Sequence, residues 1–398
     1  MRIAIDASTW GNRRGFGRFT REIVAALVRL DTPHRFVLFT DGAAATGLDV
    51  ETVAVRQSRA VAEAAVADGS RHPFDLLRFS AAVASARADV LFYPAVYSWF
   101  PCPPGLPNLL TLHDAIAEHY PGMVFPQWRF RKLWQLKVRL ARLQATRFLT
   151  VSKAARAEIE AYMGIAREQV DLTTEAPKAV FRPPASKEAL AAAAARLRER
   201  LGLPAQARWF SYVGGFAPHK NLLGLVDAFA SVAAGIGRDL RDLHLLLVGD
   251  IAGSGFHSNV EQIRARLGNV PSLSGRVHFT GYVDDETLAE IYASSLAAVL
   301  PSFSEGFGLP LVEAMACGTP VLAGQAGSMP EIVADAGLTF DPSDGHAMAA
   351  CMQALVDEPA LVRDLSARSL RRAADFSWHE AARLALASIE RCAGGRRR

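Results

Sequence analysis

Short apolar runs alternate along the whole chain with stretches whose apolar residues recur at helical spacing. Residues 2–6 (RIAID) read as a first buried strand; after the loop 7–17, a helix over 18–30 carries Ile23, Ala26, Leu27 and Leu30 on one face. Further strands are expected at 34–40, 53–56, 89–93 (DVLFY), 108–112 and 147–151. Alanine-rich helical sequence fills 61–88, and helices are expected over 127–146 and 153–163. The FRPP at 181–184 breaks the pattern, and a helical connector follows over 187–201. A second series then begins, with strands at 208–213, 243–248, 276–280, 296–300 and 320–323 and helices at 221–233, 260–267, 285–294 and 311–317. Helices over 347–356, 359–374 and 378–392 close the chain, and the GGRRR end is expected to fray.

Strand and helix in strict alternation build parallel sheets with helices on both faces. The expected fold class is therefore α/β: two tandem Rossmann-like, doubly wound domains facing a cleft, the first over 1–184 and the second over 185–377. A chain of 398 residues, half of them hydrophobic, is long enough to give each domain its own core. The four cysteines show neither a CxxC pair nor metal spacing, which fits reduced thiols in a cytoplasmic protein. The opening MRIAIDAST lacks the basic flank and long apolar region of a signal peptide, and no stretch nears the roughly 18 uninterrupted apolar residues of a membrane span. A soluble protein is expected, attached at most to the inner membrane surface.

The net charge of +4 is too small on this length to argue for a nucleic-acid partner, and none is expected. Its distribution says more. Residues 127–147 (QWRFRKLWQLKVRLARLQATR) hold seven basic side chains and no acidic one. Leu133, Leu136, Leu140 and Leu143 are expected to form the buried face of that helix. Trp128, Phe130 and Trp134 would then lie with the arginines at a lipid headgroup layer, or the whole run is a solvated basic face.

The stretch 296–321 (LAAVLPSFSEGFGLPLVEAMACGTPV) carries the densest chemistry. A buried strand leads into a glycine loop containing Glu305, and then into a short helix with Pro310 at its first position and Gly318 as its stop. A strand, glycine loop and helix start present backbone N–H groups and the positive end of a dipole to an anion. Glu305 and Glu313 flank that site. A diphosphate held among N–H groups, with carboxylates beside it to accept from hydroxyls, suggests a sugar nucleotide. The plainer alternative is that Glu313 complements the helix dipole and Glu305 is a solvated loop residue.

Glu305-x7-Glu313, written as EGFGLPLVEAMACGTPV, resembles the signature of retaining glycosyltransferases of family 4, which have the two-domain GT-B fold. The resemblance implies that the last helix, 378–393, crosses back onto an acceptor-binding first domain, and that the second domain binds the donor. It implies that Glu313 accepts from the ribose hydroxyls and Glu305 from hydroxyls of the donor sugar, helped by backbone groups of Gly306 and Phe307. The N–H groups of Gly308 and Leu309 would stabilise the leaving diphosphate.

Other motifs fall into place beside it. RRGFGR at 13–18 sets Gly15 and Gly17 between the first strand and first helix, where relatives contact the diphosphate and acceptor; a plain tight turn is the alternative. TLHD at 111–114 puts His113 at the carboxyl end of a strand, where the resemblance makes it a catalytic residue that orients the donor sugar, although a lone histidine is often structural. GGFAPHKN at 214–221 supplies Gly214, His219 and Lys220, with the lysine a point charge for the diphosphate unless it is a solvated helix-start residue. Many relatives carry an arginine where this chain has Gly215, so His219 or an arginine of 13–18 would have to replace that cation. TGYV at 280–283, with Tyr282, corresponds to the turn that receives the nucleotide base. LVGDIAGSG at 247–255 lacks the dinucleotide fingerprint and reads as a loop.

The implied reaction moves a hexose from a nucleoside-diphosphate sugar to a hydroxyl of a saccharide or lipid-linked saccharide, with retention, in surface polysaccharide or lipopolysaccharide synthesis. A GDP-mannose-like donor is favoured, with UDP- and dTDP-sugars as alternatives, and the acceptor would be set by loops at 9–17, 58–73 and 97–107. Neither metal nor cofactor is expected, since Lys220 and the helix dipole supply positive charge. A sugar-nucleotide epimerase or phosphorylase on the same scaffold, or a non-catalytic nucleotide-sugar-binding subunit, are the competing classes.

Overall fold

In the first of two units, Met1–Glu175 with Ser377–Arg398, strands β1 (Arg2–Asp6), β2 (Arg35–Thr40), β3 (Glu51–Ala54), β4 (Val90–Tyr93), β5 (Asn108–Thr111), β6 (Arg147–Thr150) and β7 (Val170–Leu172) form one parallel sheet. Its order is β3-β2-β1-β4-β5-β6-β7. The second unit, Ala176–Phe376, holds β8 (Arg208–Val213), β9 (Leu243–Val248), β10 (Val277–Gly281), β11 (Ala297–Leu300), β12 (Val321–Gly324) and β13 (Gly337–Phe340), parallel in the order β10-β9-β8-β11-β12-β13. This computed structural model describes residues 1–12, 15–42, 45–58, 72–235, 240–251 and 258–395.

Both sheets are flanked by helices, so their central strands are covered on two faces and read as unbroken apolar runs. Val90, Leu91, Phe92 and Tyr93 of β4 are all fully buried, as are Leu245, Leu246 and Leu247 of β9. Two strands escape the sequence pattern. β7 is only three residues long and carries an aspartate, and β13 (GLTF) follows the unpredicted short helix Met329–Val333.

The second unit starts at Ala176, nine residues ahead of the expected 185, because the stretch up to and including the Phe of FRPP already packs on the helix Asp285–Ala293. Lys178 Nζ lies 2.9 Å from Asp285 Oδ2, and Phe181 meets Tyr292 edge-on with ring centres 6.1 Å apart. The helix Lys187–Leu201 belongs to this unit too, with Arg200 donating to the Thr287 hydroxyl at 2.9 Å.

The last helix, Trp378–Gly394, lies in the first unit, burying Ala381, Ala382, Ala385, Ile389 and Cys392. Thr173 Oγ1 donates to its Ala381 carbonyl at 2.8 Å. Asp171 of β7 accepts from Ser388 at 2.5 Å and lies 3.0 Å from Arg147 and 3.2 Å from Arg391.

The helix Trp128–Gln144 corrects the sequence reading. Its inward stripe is Trp134, Val138 and Ala141, continued by Ala145 just beyond its end, all packed in the first unit's core. Leu133, Leu136, Leu140 and Leu143 point outward and are 59, 55, 43 and 74% exposed. Both stripes have helical spacing. The inner one wins because valine and alanine let the helix approach closely, and because Trp134 Nε1 finds an acceptor in Glu118 at 2.9 Å.

Candidate active site

In the second sheet the strand order reverses between the neighbours β8 and β11, and doubly wound sheets bind ligands beyond the carboxyl ends of such strands. The loop 214–221 leaves β8 and the loop 301–308 leaves β11, and the two are joined where Phe303 N–H donates to the His219 carbonyl at 2.9 Å. Across this junction Lys220 Nζ lies 2.8 Å from both Glu305 Oε1 and Glu305 Oε2. The Ser302 hydroxyl, fully buried, donates to Oε1 at 2.6 Å. The two residues that the motifs assign to phosphate and to sugar thus hold each other.

Three further residues, two of them outside any motif, fix this pair. Ser328 donates to the Glu305 carbonyl through its N–H at 3.2 Å and its hydroxyl at 2.9 Å. Gly327 adopts φ +56°, and a Cβ there would lie 2.8 Å from Glu305 N, so only glycine lets this turn lie against the glutamate's backbone. Asn221, also left-handed at φ +57°, donates from its side-chain amide to the Pro301 carbonyl at 3.2 Å and the Pro342 carbonyl at 2.6 Å, which ties together the loops after β8, β11 and β13. Sequence reasoning missed Gly327 and Ser328, and it quoted Asn221 within GGFAPHKN without giving it a role. Gly327 and Ser328 lie more than twenty positions from Glu305, and nothing local says what they face.

Gly308, at φ +92°, opens the helix Leu309–Ala316, in which Pro310 is the second residue rather than the first. Leu311 N–H is turned back onto the Gly308 carbonyl at 2.9 Å, so the N–H groups of Gly308 and Leu309 are the candidates for an anion at this end. Gly306 is buried, and the Phe307 ring packs edge-on against Phe376 at 5.6 Å, leaving backbone as the contribution of both. Glu313 falls in the second turn of the helix and is 2% exposed. Burial, and after it the Glu313 charge, pushes the Cys317 thiol up to about 12.

His219 carries no positive charge to stand in for the absent arginine. Burial first, and the Lys220 charge second, bring its imidazole down to about 3, so it is neutral at ordinary pH. The site of that arginine, Gly215, opens into space that a side chain could fill. Gly214 N–H is held by the Val248 carbonyl at 3.0 Å. Under the loop, Tyr212 donates to the Gly215 carbonyl, and burial, then the nearby Glu305 charge, raises its phenol well above 10. Tyr282 stands apart from this group: it follows the edge strand β10, three strands from β11, and is 55% exposed.

In the first unit His113 follows β5. Its Nε2 lies 3.0 Å from the Pro94 carbonyl, an acceptor only, so Nε2 carries a proton. Nδ1 faces Glu175 Oε1 at 3.6 Å, and the ring meets Phe19 edge-on at 4.7 Å. Glu175, 6% exposed, escaped notice because it follows the unrecognised β7. The first helix runs Gly15–Val28, three residues earlier than expected, so Gly15 and Gly17 lie in its first turn rather than in a loop. The Arg21 guanidinium holds the carbonyls of Trp10 and Asn12 at 2.6 Å each, folding the preceding loop onto this helix. Arg13 and Arg14, the segment 59–71 of one acceptor loop, and 252–255 of the glycine-bearing loop lie outside the described residues. Among the described residues no group of three or more His, Cys, Asp and Glu side chains is placed to hold a metal ion, and no helix is long and apolar enough to cross a membrane.

Two parallel sheets of one strand order, with such a loop junction at the second's reversal, make this a glycosyltransferase fold of the GT-B type. The sucrose-phosphate synthase of Thermosynechococcus elongatus superposes with a TM-score of 0.73 at 22% identity, covering 98% of each chain. The chain belongs to the group 1, family 4 glycosyltransferases: the family described as Glycosyl transferases group 1 matches residues 193–372, and Glycosyltransferase Family 4 matches 13–173. It is 35% identical over 167 residues to the O-antigen chain mannosyltransferase B of Escherichia coli, 42% of each chain. It is 31% identical over 300 residues to the MMP alpha-(1->4)-mannosyltransferase of Mycolicibacterium hassiacum, 72% of this chain and 66% of that one. These matches span 42% and 66% of the relatives' own lengths.

Proposed function

We propose that the chain transfers a hexose, with retention, from a GDP-mannose-like donor bound by the second unit to a hydroxyl of a saccharide or lipid-linked saccharide bound by the first. Surface polysaccharide or lipopolysaccharide synthesis is the setting this suits. The mannosyltransferase names of the two relatives support the sugar, and the O-antigen relative supports the setting. The observation that carries the reading is the Lys220–Glu305 pair, beside the Gly308–Leu309 helix start at the strand reversal.

An arriving diphosphate competes for the Lys220 ammonium and takes the N–H groups of Gly308 and Leu309. Glu305, released from the lysine but still held by Ser302, then accepts from hydroxyls of the donor sugar. Glu313 accepts from the ribose. The family resemblance gives His113 the role of orienting that sugar, and within the first unit its ring is fixed by Pro94 and Phe19. The bond from the anomeric carbon to the phosphate oxygen breaks, and its electrons stay on the phosphate. The acceptor oxygen bonds to the anomeric carbon from the same face, and the leaving phosphate takes the acceptor's proton. Lysine and helix dipole offset the charge that develops, so the reading routes no step through a metal or cofactor.

Thermal unfolding with GDP-mannose, UDP-glucose and dTDP-glucose tests the donor. GDP-mannose is expected to stabilise most, by about 2.7 kcal/mol at a hundredfold excess over its dissociation constant. Equal indifference to all three would end the donor reading. Binding with no transfer to any saccharide or lipid-linked acceptor would point to a sensing subunit instead.

A further inference from the structure

The outward leucines of the helix Trp128–Gln144 have no role in the reaction. Leu133, Leu136, Leu140 and Leu143 recur at steps of three and four, so they form a single stripe directly opposite the buried one. Trp128, 72% exposed, stands at the start of the same helix. Apolar side chains concentrated in this way on a solvent-facing surface mark an interaction site. Exposed Arg129, Lys132 and Arg139 lie on or beside the stripe, and the helix carries no acidic residue at all.

A groove of about 530 Å³ runs along the same helix, between it and the helix Lys153–Met163. Arg139, Arg142, Leu143 and Tyr162 line it, with Phe148 and Ile165 among its apolar walls. Arg142 uses one guanidinium nitrogen on the Met163 carbonyl, which anchors it at the groove. One carboxyl, Glu118, also lines the groove. Burial raises its pKa, although the Trp134 N–H acts against the shift, so its charge is more easily lost than that of an exposed glutamate.

We infer that this face docks on an anionic lipid bilayer, with the leucine stripe at the acyl boundary, the cations at phosphate level and one lipid headgroup phosphate in the groove beside Arg139 and Arg142. An interfacial helix of this kind needs apolar and cationic side chains on one exposed surface, and both are present here. A second copy of the chain is a poorer occupant. Two such acid-free helices laid face to face would bring cation against cation. The inference deepens the reading of a lipid-linked acceptor and rests on it for its purpose, but its test needs no sugar transfer.

The full chain is floated with vesicles of phosphatidylcholine alone and of phosphatidylcholine mixed with phosphatidylglycerol. It is expected to rise only with the anionic vesicles. Leu136→Ser with Leu140→Ser should weaken that partition by about tenfold or more, and Arg139→Gln by about fivefold. Because these side chains are exposed, the variants should keep the wild-type unfolding temperature and GDP-mannose-induced shift; Leu133→Ser is the replacement if the double variant misfolds. Failure of the wild type to float with anionic vesicles at low salt would overturn the inference. So would a leucine variant that floats like wild type, or a wild-type dimer in sedimentation that the leucine substitutions dissociate.

Discussion

Lys220 and Glu305 meet at 2.8 Å through both carboxylate oxygens, across the two strands between which the second sheet reverses its order. This pair neutralises the two charges that the proposed reaction uses separately. In the proposed reaction the lysine exchanges its carboxylate partner for the diphosphate, which would free Glu305 for the donor sugar. Glu305→Ala should therefore lower turnover on the order of a hundredfold, while GDP affinity stays level or rises, since the lysine no longer has a competing partner. Lys220→Met should do the reverse and weaken GDP by about tenfold or more. Calorimetric titration of GDP into each variant separates the two; weaker GDP binding in Glu305→Ala would remove the glutamate from the sugar.

Glu313 is almost wholly buried, so its carboxylate is either a ribose acceptor or a purely internal group. Glu313→Gln keeps the shape and loses the charge. A ribose role predicts roughly tenfold weaker binding of both GDP and GDP-mannose, with guanine-free ribose phosphate affected in the same proportion. Unchanged affinity with a lowered unfolding temperature would assign it to the helix interior.

Gly215 offers a gain-of-function test. Nothing stands near the position its Cβ would take, and burial with the Lys220 charge keeps His219 of the same loop neutral. Gly215→Arg adds a cation close to Lys220 and should tighten GDP binding by about fivefold at low salt, with the gain shrinking as ionic strength rises. Isothermal titration at two salt concentrations reads both effects. A gain that ignores salt would mean that the arginine acts by packing instead of charge.

Asp171 governs how the last helix is held. Burial alone would raise its carboxyl, but hydrogen bonds from Arg147 and Ser388 and the charges of Arg147 and Arg391 hold it below its ordinary 3.8. A depressed carboxyl contributes stability that is full above 3.8 and is lost as the pH falls through the lower folded value. Asp171→Asn should cost about 1–3 kcal/mol at neutral pH, and the gap to wild type should close on acidification below 3.8. Urea unfolding of the first unit across that range is the measurement, and a gap that stays constant would contradict the linkage.

Much of this was legible because the signals were strong. The unbroken apolar strands, and the motif 305–321 that follows one of them, placed Glu305 just beyond the carboxyl end of β11, since a strand buried on both faces cannot be disguised by polar residues. What escaped was whatever depended on partners far along the chain. β7 and β13 are too short and too mixed to stand out, and losing β7 meant losing Glu175 behind it. The helix Trp128–Gln144 offered two apolar stripes, and four leucines present more apolar side-chain area to a sequence reading than the single valine and the alanines that pack inward with Trp134. Lys220 and Glu305 could each be placed at a phosphate and a sugar, but 85 residues separate them and only the sheet order makes them neighbours.

The homing of Trp378–Gly394 onto the unit that begins at Met1 has a consequence for how the polypeptide is made. On the ribosome, the opening sheet must wait, one flank bare against Phe19 and β5, while some two hundred residues of the second unit are synthesised and fold. A nonsense change shortly after Phe376 would therefore leave the later unit whole and ruin the earlier one.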